Sequence, residues 1–440
     1  MFVLYGIAVA MSQAQVPQLS LEQALEIAAS NAFSVRLATA DSDRAREQAS
    51  EIAGRLSPSL RLTGSYIKIG GAITGTNSGN AGGGLLQVPA VASSPTDFKQ
   101  LELTVTQVID ILGVQRKGLA AARMAHRASE QIVQVERNSL KETVRQQFFG
   151  VLQAQALVAV QRDELESARA RTANAKIRFE FGAVSKFDVL RLETEEKRSE
   201  QALLDAEANF VIGKQNLNNV IGRAVQTEFS PGEVAGVPTV RVSPDRAVEL
   251  AFQRRPVLAS LEFARSSSRL TRQMEEGALK PSLMISAQFR RIIDPLPGQP
   301  ANGAFALVSL SFPLHDSGAT RSRVRAAQDA EDRISIQVEQ AKLAISLDVR
   351  RAITLMETAG KAHDVALSGY ELAREALRLA QLLYDEGAGI LLDVTTAQSE
   401  QTRAQASVVT TRYEFWRAYA AIQKAVGIDD LRELAMEVTN

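Results

Sequence analysis

The sequence is written twice, and that constrains its fold more than any other feature. Ser20-Leu-Glu-Gln-Ala-Leu-Glu-Ile-Ala28 resembles Ser243-Pro-Asp-Arg-Ala-Val-Glu-Leu-Ala251 at an offset of 223, and Pro58-Ser-Leu60 matches Pro281-Ser-Leu283 at the same offset. Beyond them the offset becomes 205 and stays there. Leu103-Thr-Val-Thr106 pairs with Val308-Ser-Leu-Ser311, Gly113 with Gly318, Gly182 with Gly387, Asp188 with Asp393, and Gly222 with Gly427. The first copy therefore carries about 18 extra residues between positions 68 and 98. That interval is rich in Gly, Asn and Ser and reads as an enlarged loop, where an insertion costs little. Duplication of this kind marks a fold assembled from equivalent units.

Each copy has the same order: medium helix, strand, loop, strand, long helix, Gly turn, return helix. Residues 15–230 form the first copy, with a β-hairpin over 59–109, a long helix over 114–181 and a return helix over 186–221. Residues 231–427 form the second, with a hairpin over 282–314, a long helix over 319–386 and a return helix over 391–426; 428–440 is a tail. Opening helices are expected over 20–56 and 243–279. No proline occurs from Thr96 to Ser230 or from Leu314 to the end. Proline inside a helix removes a donor and clashes with the preceding turn, so windows this long without it favour long helices. Each arm of 68 residues spans ~100 Å at 1.5 Å per residue. Aromatics are only 5% of the chain and alanine is frequent along the arms, which suits narrow coiled-coil seams better than one globular core.

The strands follow from a period of two. Leu60, Leu62, Gly64 and Tyr66 alternate with Ser59, Arg61, Thr63 and Ser65; Leu101, Leu103 and Val105 alternate with Gln100, Glu102 and Thr104. Leu283, Ile285, Ala287 and Phe289, then Val308, Leu310 and Phe312, continue the pattern in the second copy. One apolar and one polar face per strand is the pattern of a half-buried sheet. The lengths also match strands that cross a bilayer at a tilt. Four strands cannot close a membrane barrel, which needs at least eight. Crossing a membrane would thus require several chains to share one barrel. Two chains give eight strands and three give twelve, and strand arithmetic alone does not choose.

Composition narrows the function. Lys+Arg and Asp+Glu are both 50, interspersed, so no basic patch marks a nucleic-acid partner. The absence of cysteine excludes disulfides, thiol catalysis and Cys-ligated zinc. His126, His315 and His363 lie far apart, and a histidine metal site is not expected. No Gly-rich phosphate loop or nucleophile–base pairing stands out, so neither an enzyme nor a cofactor is expected. Met1 to Val9 is apolar, with small residues at Ser12 and Ala14. Residues 1–14 therefore read as a signal peptide cut before Gln15, although no Lys or Arg precedes the run.

The doubled plan resembles the TolC-like outer membrane efflux proteins. The resemblance is carried by Ser20–Ala28, by Leu310-Ser-Phe-Pro-Leu314 followed by Asp316-Ser-Gly318, and by Tyr384-Asp-Glu-Gly387 followed by Asp393-Val394. It implies a mainly α fold with a small β part. Three chains would share a twelve-stranded barrel in the outer membrane of a Gram-negative bacterium, continued by a long α-helical barrel in the periplasm. It also implies the partners: outer membrane lipid, a periplasmic adaptor, and an inner-membrane pump of the resistance-nodulation-division, ABC or major-facilitator type. The function implied is an outer membrane channel-tunnel for efflux or type I secretion. The competing reading is a soluble periplasmic coiled-coil adaptor, which would carry one helical hairpin and a separate compact β domain.

The candidate site is the pair of Gly turns. Gly182 and Gly387 end the long helices, where glycine closes a helix in the left-handed conformation. Gly182, Gly387, Gly389 and Tyr384 are expected at the periplasmic tip, docking the adaptor or pump. Ser185 and Asp188 have capping-box spacing, so Asp188 is expected chiefly to stabilise a helix start. Asp393 matches a family position where acidic side chains narrow the tunnel, and three copies would form a cation-attracting ring. Thr396 and Gly389 depart from the family pattern of a second acid and an arginine. Trp416 and Tyr413 are expected to pack, and Tyr66 and Phe98 to mark the membrane girdle.

Overall fold

A computed structural model describes residues 17–69, 96–234, 236–238, 242–293, 295 and 300–430. The expected signal peptide, the inserted loop over 70–95 and the end of the tail lie outside them. In chain order the elements are β1 (Gln18–Leu19), α1 (Leu21–Asn31), α2 (Phe33–Arg55), β2 (Ser59–Ile69), β3 (Thr96–Ile109), α3 (Val114–Glu180), α4 (Lys186–Val220) and β4 (Ser230–Pro231). The second half gives α5 (Pro244–Arg254), α6 (Pro256–Glu275), β5 (Ser282–Ile293), β6 (Asn302–Ser311), α7 (Ala319–Asp385) and α8 (Leu391–Val426). The chain is mainly helical with a small sheet fraction, and α3 and α7 each have 67 residues.

The opening helices differ from the expectation. Each is two helices, broken at Ala32 and at Arg255, which both have extended backbones. In the second copy the cause is Pro256, whose ring disfavours helical geometry at the residue before it. The first copy breaks 223 residues earlier without a proline. Gly222 there lies so close that a Cβ on it would meet the Asn31 carbonyl oxygen at 2.7 Å. The corresponding Gly427 approaches Arg254, also 223 residues after Asn31, at 3.3 Å.

Two compact units can be described. The larger comprises residues 1–42, 129–260 and 337–440. It holds two cores built alike. One gathers Ala24, Ala28, Leu140, Val144, Phe148, Val151, Leu217 and Ile221. The other gathers Ala247, Ala251, Ile345, Val349, Ile353, Met356, Ile422 and Val426. The offsets of 223 and 205 relate these residues one to one, so the repeat preserves packing positions as well as motifs. Trp416 packs against both cores, with ring centroids 5.8 Å from Phe149, 6.0 Å from Phe415 and 5.4 Å from Tyr419. Tyr413 is buried beside the first core. A parallel pairing of β1 with β4 ties the start of the described chain to the connection between the repeats.

The smaller unit, residues 43–128 and 261–336, contains one four-stranded antiparallel sheet in the order β2-β3-β5-β6. The hairpins of the two copies thus join through β3 and β5. The register places Leu62, Leu103, Phe289 and Ala304 in one row, and Leu60, Val105, Ala287 and Ala306 in the next. That face is apolar, yet Leu62, Val308 and Leu310 are about two-thirds exposed (69%, 64% and 66%). Arg61, Thr63, Glu102, Thr104, Gln288 and Arg290 occupy the other face. There Glu102 accepts hydrogen bonds from Thr104 and Gln288. Tyr66 lies on the apolar face opposite Lys99 and is exposed. Phe98 pairs with Ile67 in the ladder, and its side chain lies outside the described ones.

Candidate functional site

The two helix-reversing turns share one backbone solution. Gly182 has φ +72° and Gly387 has φ +73°. At the first turn the N–H of Ala183 donates to the Arg178 carbonyl and that of Gly182 to Phe179, at 2.8 and 2.9 Å. At the second, Ala388 donates to Leu383 and Gly387 to Tyr384, at 2.9 and 3.1 Å. These paired bonds are a Schellman closure, which satisfies carbonyls left open at a helix end and demands a left-handed residue.

The return helices start differently. At α4 the Ser185 hydroxyl accepts from the Asp188 N–H at 3.2 Å, while the Asp188 carboxylate accepts from the Ser185 N–H and hydroxyl at 3.3 and 2.7 Å. This is a complete capping box, in which two orphan donors are satisfied reciprocally. The residue 205 positions after Ser185 is Ile390, which has no hydroxyl, and α8 starts without a side-chain cap. Asp393 is exposed, and its carboxylate makes no hydrogen bond or ion pair among the described residues. One turn later the Thr396 hydroxyl donates to the Leu392 carbonyl at 2.8 Å. Gly389 is a close-approach position: a Cβ there would lie 3.1 Å from the Leu383 Cβ, and its N–H donates to the Leu383 carbonyl.

The structure brings the two turns together. Arg178 reaches Asp385 at 3.3 Å and lies over the Tyr384 ring, 5.7 Å from its centroid. Beneath this contact Ala175, Val189 and Leu192 form a small buried cluster with Val184 and Leu391. Lys176 bonds Glu193 at 2.8 Å, and that carboxylate holds the ammonium above its ordinary pKa. Higher on α3, Glu164 bonds Arg171 at 2.8 Å and accepts from Gln398 and Thr402 of α8 at 2.7 and 2.8 Å. Thr172, fully within α3, also donates to the Leu192 carbonyl of α4 at 3.3 Å. Around the turns Phe181, Phe187 and Ile390 are strongly exposed (82%, 71% and 59%).

Arg178 and Glu164 were not singled out by the sequence, and Asp385 stood only inside the Tyr384–Gly387 motif with no partner assigned. Arg178 corresponds to Leu383 in the second copy and Glu164 to Gly369, so the repeat gives no signal for either. The contacts from Arg178 to Asp385 and from Glu164 to Gln398 and Thr402 each span more than 200 residues.

A family model described as outer membrane efflux protein matches residues 24–223 and 247–428. Nodulation protein T of Rhizobium leguminosarum bv. trifolii is 24% identical over 74% of this chain and 71% of its own. Outer membrane efflux protein BepC of Brucella suis biovar 1 is 24% identical over 78% of this chain and 76% of its own. The structure of the Campylobacter jejuni CmeC outer membrane channel superposes with a TM-score of 0.81 at 16% identity, covering 95% of this chain and 88% of that one. The uncovered apolar sheet face fits the same assignment. The chain belongs to the outer membrane efflux protein family and is an outer membrane channel for efflux that extends into the periplasm.

Proposed function

We propose that three copies of this chain form one tunnel, receiving substrates at the Gly turns from an adaptor and an inner-membrane pump. One observation carries the reading. Among the described residues the four-stranded sheet has an exposed apolar face and two unpaired edges, β2 and β6. In lipid an open edge leaves backbone donors and acceptors unsatisfied, each costing several kcal/mol. Pairing β6 of one copy with β2 of the next removes both edges, and three copies give twelve strands. The polar face then lines a water-filled lumen. The chain on this reading conducts and catalyses nothing. The soluble-adaptor alternative would leave the apolar face in water.

The Gly turns form the periplasmic end. Their exposed Phe181, Phe187 and Ile390 give an adaptor an apolar docking surface. Asp188 serves the local cap, and Asp393 supplies three free carboxylates around the axis, an anionic constriction for cations. The test is outer membrane fractionation, migration on gels with and without boiling, and conductance in planar bilayers. A heat-sensitive trimer with single-channel steps is expected. A monomer in the soluble fraction would overturn the reading.

A further inference from the structure

The apolar sheet face changes character at one end. The strands meet their helices at Ser59, Ile109, Ser282 and Ser311, so both hairpin connections lie at the opposite end. On the apolar face that hairpin end is basic. Lys99 stands opposite Tyr66 on β2 and Ile293 on β5, and Arg291 stands opposite Leu101 on β3 and Asn302 on β6. The two cations are therefore diagonal neighbours on adjacent strands, ~7–8 Å apart and within mutual reach of long side chains. Both are exposed, and neither forms an ion pair among the described residues. Lys68 shares this face, at the register position paired with Asp97. No Lys or Arg stands on the face in its helix-proximal half, where Leu60, Ile109, Leu283 and Leu310 lie.

This asymmetry is informative. Cations that only snorkel from hydrocarbon would serve equally at both ends of a strand. Here they occur at one end, above the row Leu62, Leu103 and Phe289. The face therefore matches an amphiphile with acyl chains below and an anionic headgroup above. Resting on the proposed insertion in the membrane, the hairpin end faces the outer leaflet. We propose that Lys99 and Arg291 bind the phosphate of an outer-leaflet glycolipid whose acyl chains lie along Leu101, Leu103 and Phe289. Arginine suits phosphate through its planar fork, and lysine adds a point charge. The two residues come from different repeats but from the central strands of the sheet, so each chain holds a complete site.

The test uses the purified full-length oligomer in neutral-lipid nanodiscs. The probes are a diphosphorylated glucosamine-disaccharide lipid, its dephosphorylated form, and inorganic phosphate alone. The wild type is expected to bind the phosphorylated lipid about thirty-fold more tightly than the dephosphorylated one, as two basic contacts near a membrane surface imply. Lys99→Gln with Arg291→Gln should abolish that preference. Arg290→Gln, on the other face, should leave it intact. Equal binding of both lipids, or an equal loss in Arg290→Gln, would overturn the proposal. So would inorganic phosphate displacing the lipid at matched concentration, which would indicate a simple anion site. An oligomer that enters no nanodisc would instead overturn the membrane reading beneath it, and conductance by the double variant confirms that it is assembled.

Discussion

The two repeats agree at their roots and part company at their tips. At the root, Gly222 and Gly427 both have positive φ and both press on the end of a short opening helix. Leu217 and Ile422, Ile221 and Val426 fill equivalent buried positions. At the tip, the same offset turns Ser185 into Ile390 and Arg178 into Leu383. One return helix is locked by a capping box and the other is uncapped, its acid unengaged. Packing tolerates few solutions once two backbones touch, so duplicated cores keep their pattern. A solvent-facing turn is free to change, and it has changed on the side that leaves Asp393 available.

Unequal pressure at the roots gives the largest expected effect. Gly222→Ala places a Cβ against a backbone carbonyl in a left-handed conformation, and should cost about 2–4 kcal/mol. Gly427→Ala meets its neighbours at 3.3 Å or more and should cost about 1–2 kcal/mol. Thermal melting of the helical circular-dichroism signal would rank them, and equal losses would mean the roots are equivalent after all. At the tips, Asp393→Asn should raise the concentration of multivalent cation that half-blocks the channel about tenfold, or ~1.4 kcal/mol. Asp188→Asn should leave block unchanged. If both variants shifted it alike, the division of labour between the two acids would be refuted.

The caps can be exchanged. Ser185→Ala should cost the first tip about 1 kcal/mol, read as faster amide exchange over the first turn of α4. Ile390→Ser should build the missing box on Asp393, slow exchange at the start of α8, and weaken cation block by engaging the carboxylate. Block unchanged with slower exchange would separate the ring from the cap. Arg178→Ala removes the contact between the tips. Its pair with Asp385 is exposed, so a loss of no more than about 1 kcal/mol is expected, visible as raised exchange near Gly387.

The smallest effect concerns pH, where Lys141 and Arg145 of α3 meet Asp429 just beyond α8. Hydrogen bonding to Lys141, and the charges of Lys141 and Arg145, hold Asp429 below its ordinary value of 3.8. A depressed carboxylate contributes stability in full above its unfolded pKa and loses it as pH falls through the folded one. Protection around Gly427 should therefore be constant above about pH 5 and fall below 3.8, while protection around Gly222 should not follow it. With Asp429 largely exposed, solvent screening keeps the change small.

Much of this was legible because it is local. A capping box needs four consecutive residues, and Ser185 with Asp188 satisfied it on spacing alone. The left-handed glycines and the alternating strands are read within similar windows. Pro256 also announced the break in the second opening helix, although the expectation ran one helix through it. The break at Ala32 had no such marker, and the feature that lies against it, the close approach of Gly222 to Asn31, comes from far along the chain.

Sequence by itself determined the duplication, the long arms, the position of each turn and which strand residues share a face. These depend on periods and caps that act over a few residues. Tertiary structure alone decided that β3 pairs with β5, which fuses two hairpins into one sheet and sets Lys99 diagonal to Arg291. It also decided that Arg178 meets Asp385 and Tyr384, and that Gly389 lies too close to Leu383 for a longer side chain to fit without a shift. Such contacts depend on where chain reversals return distant segments, and no local period encodes that.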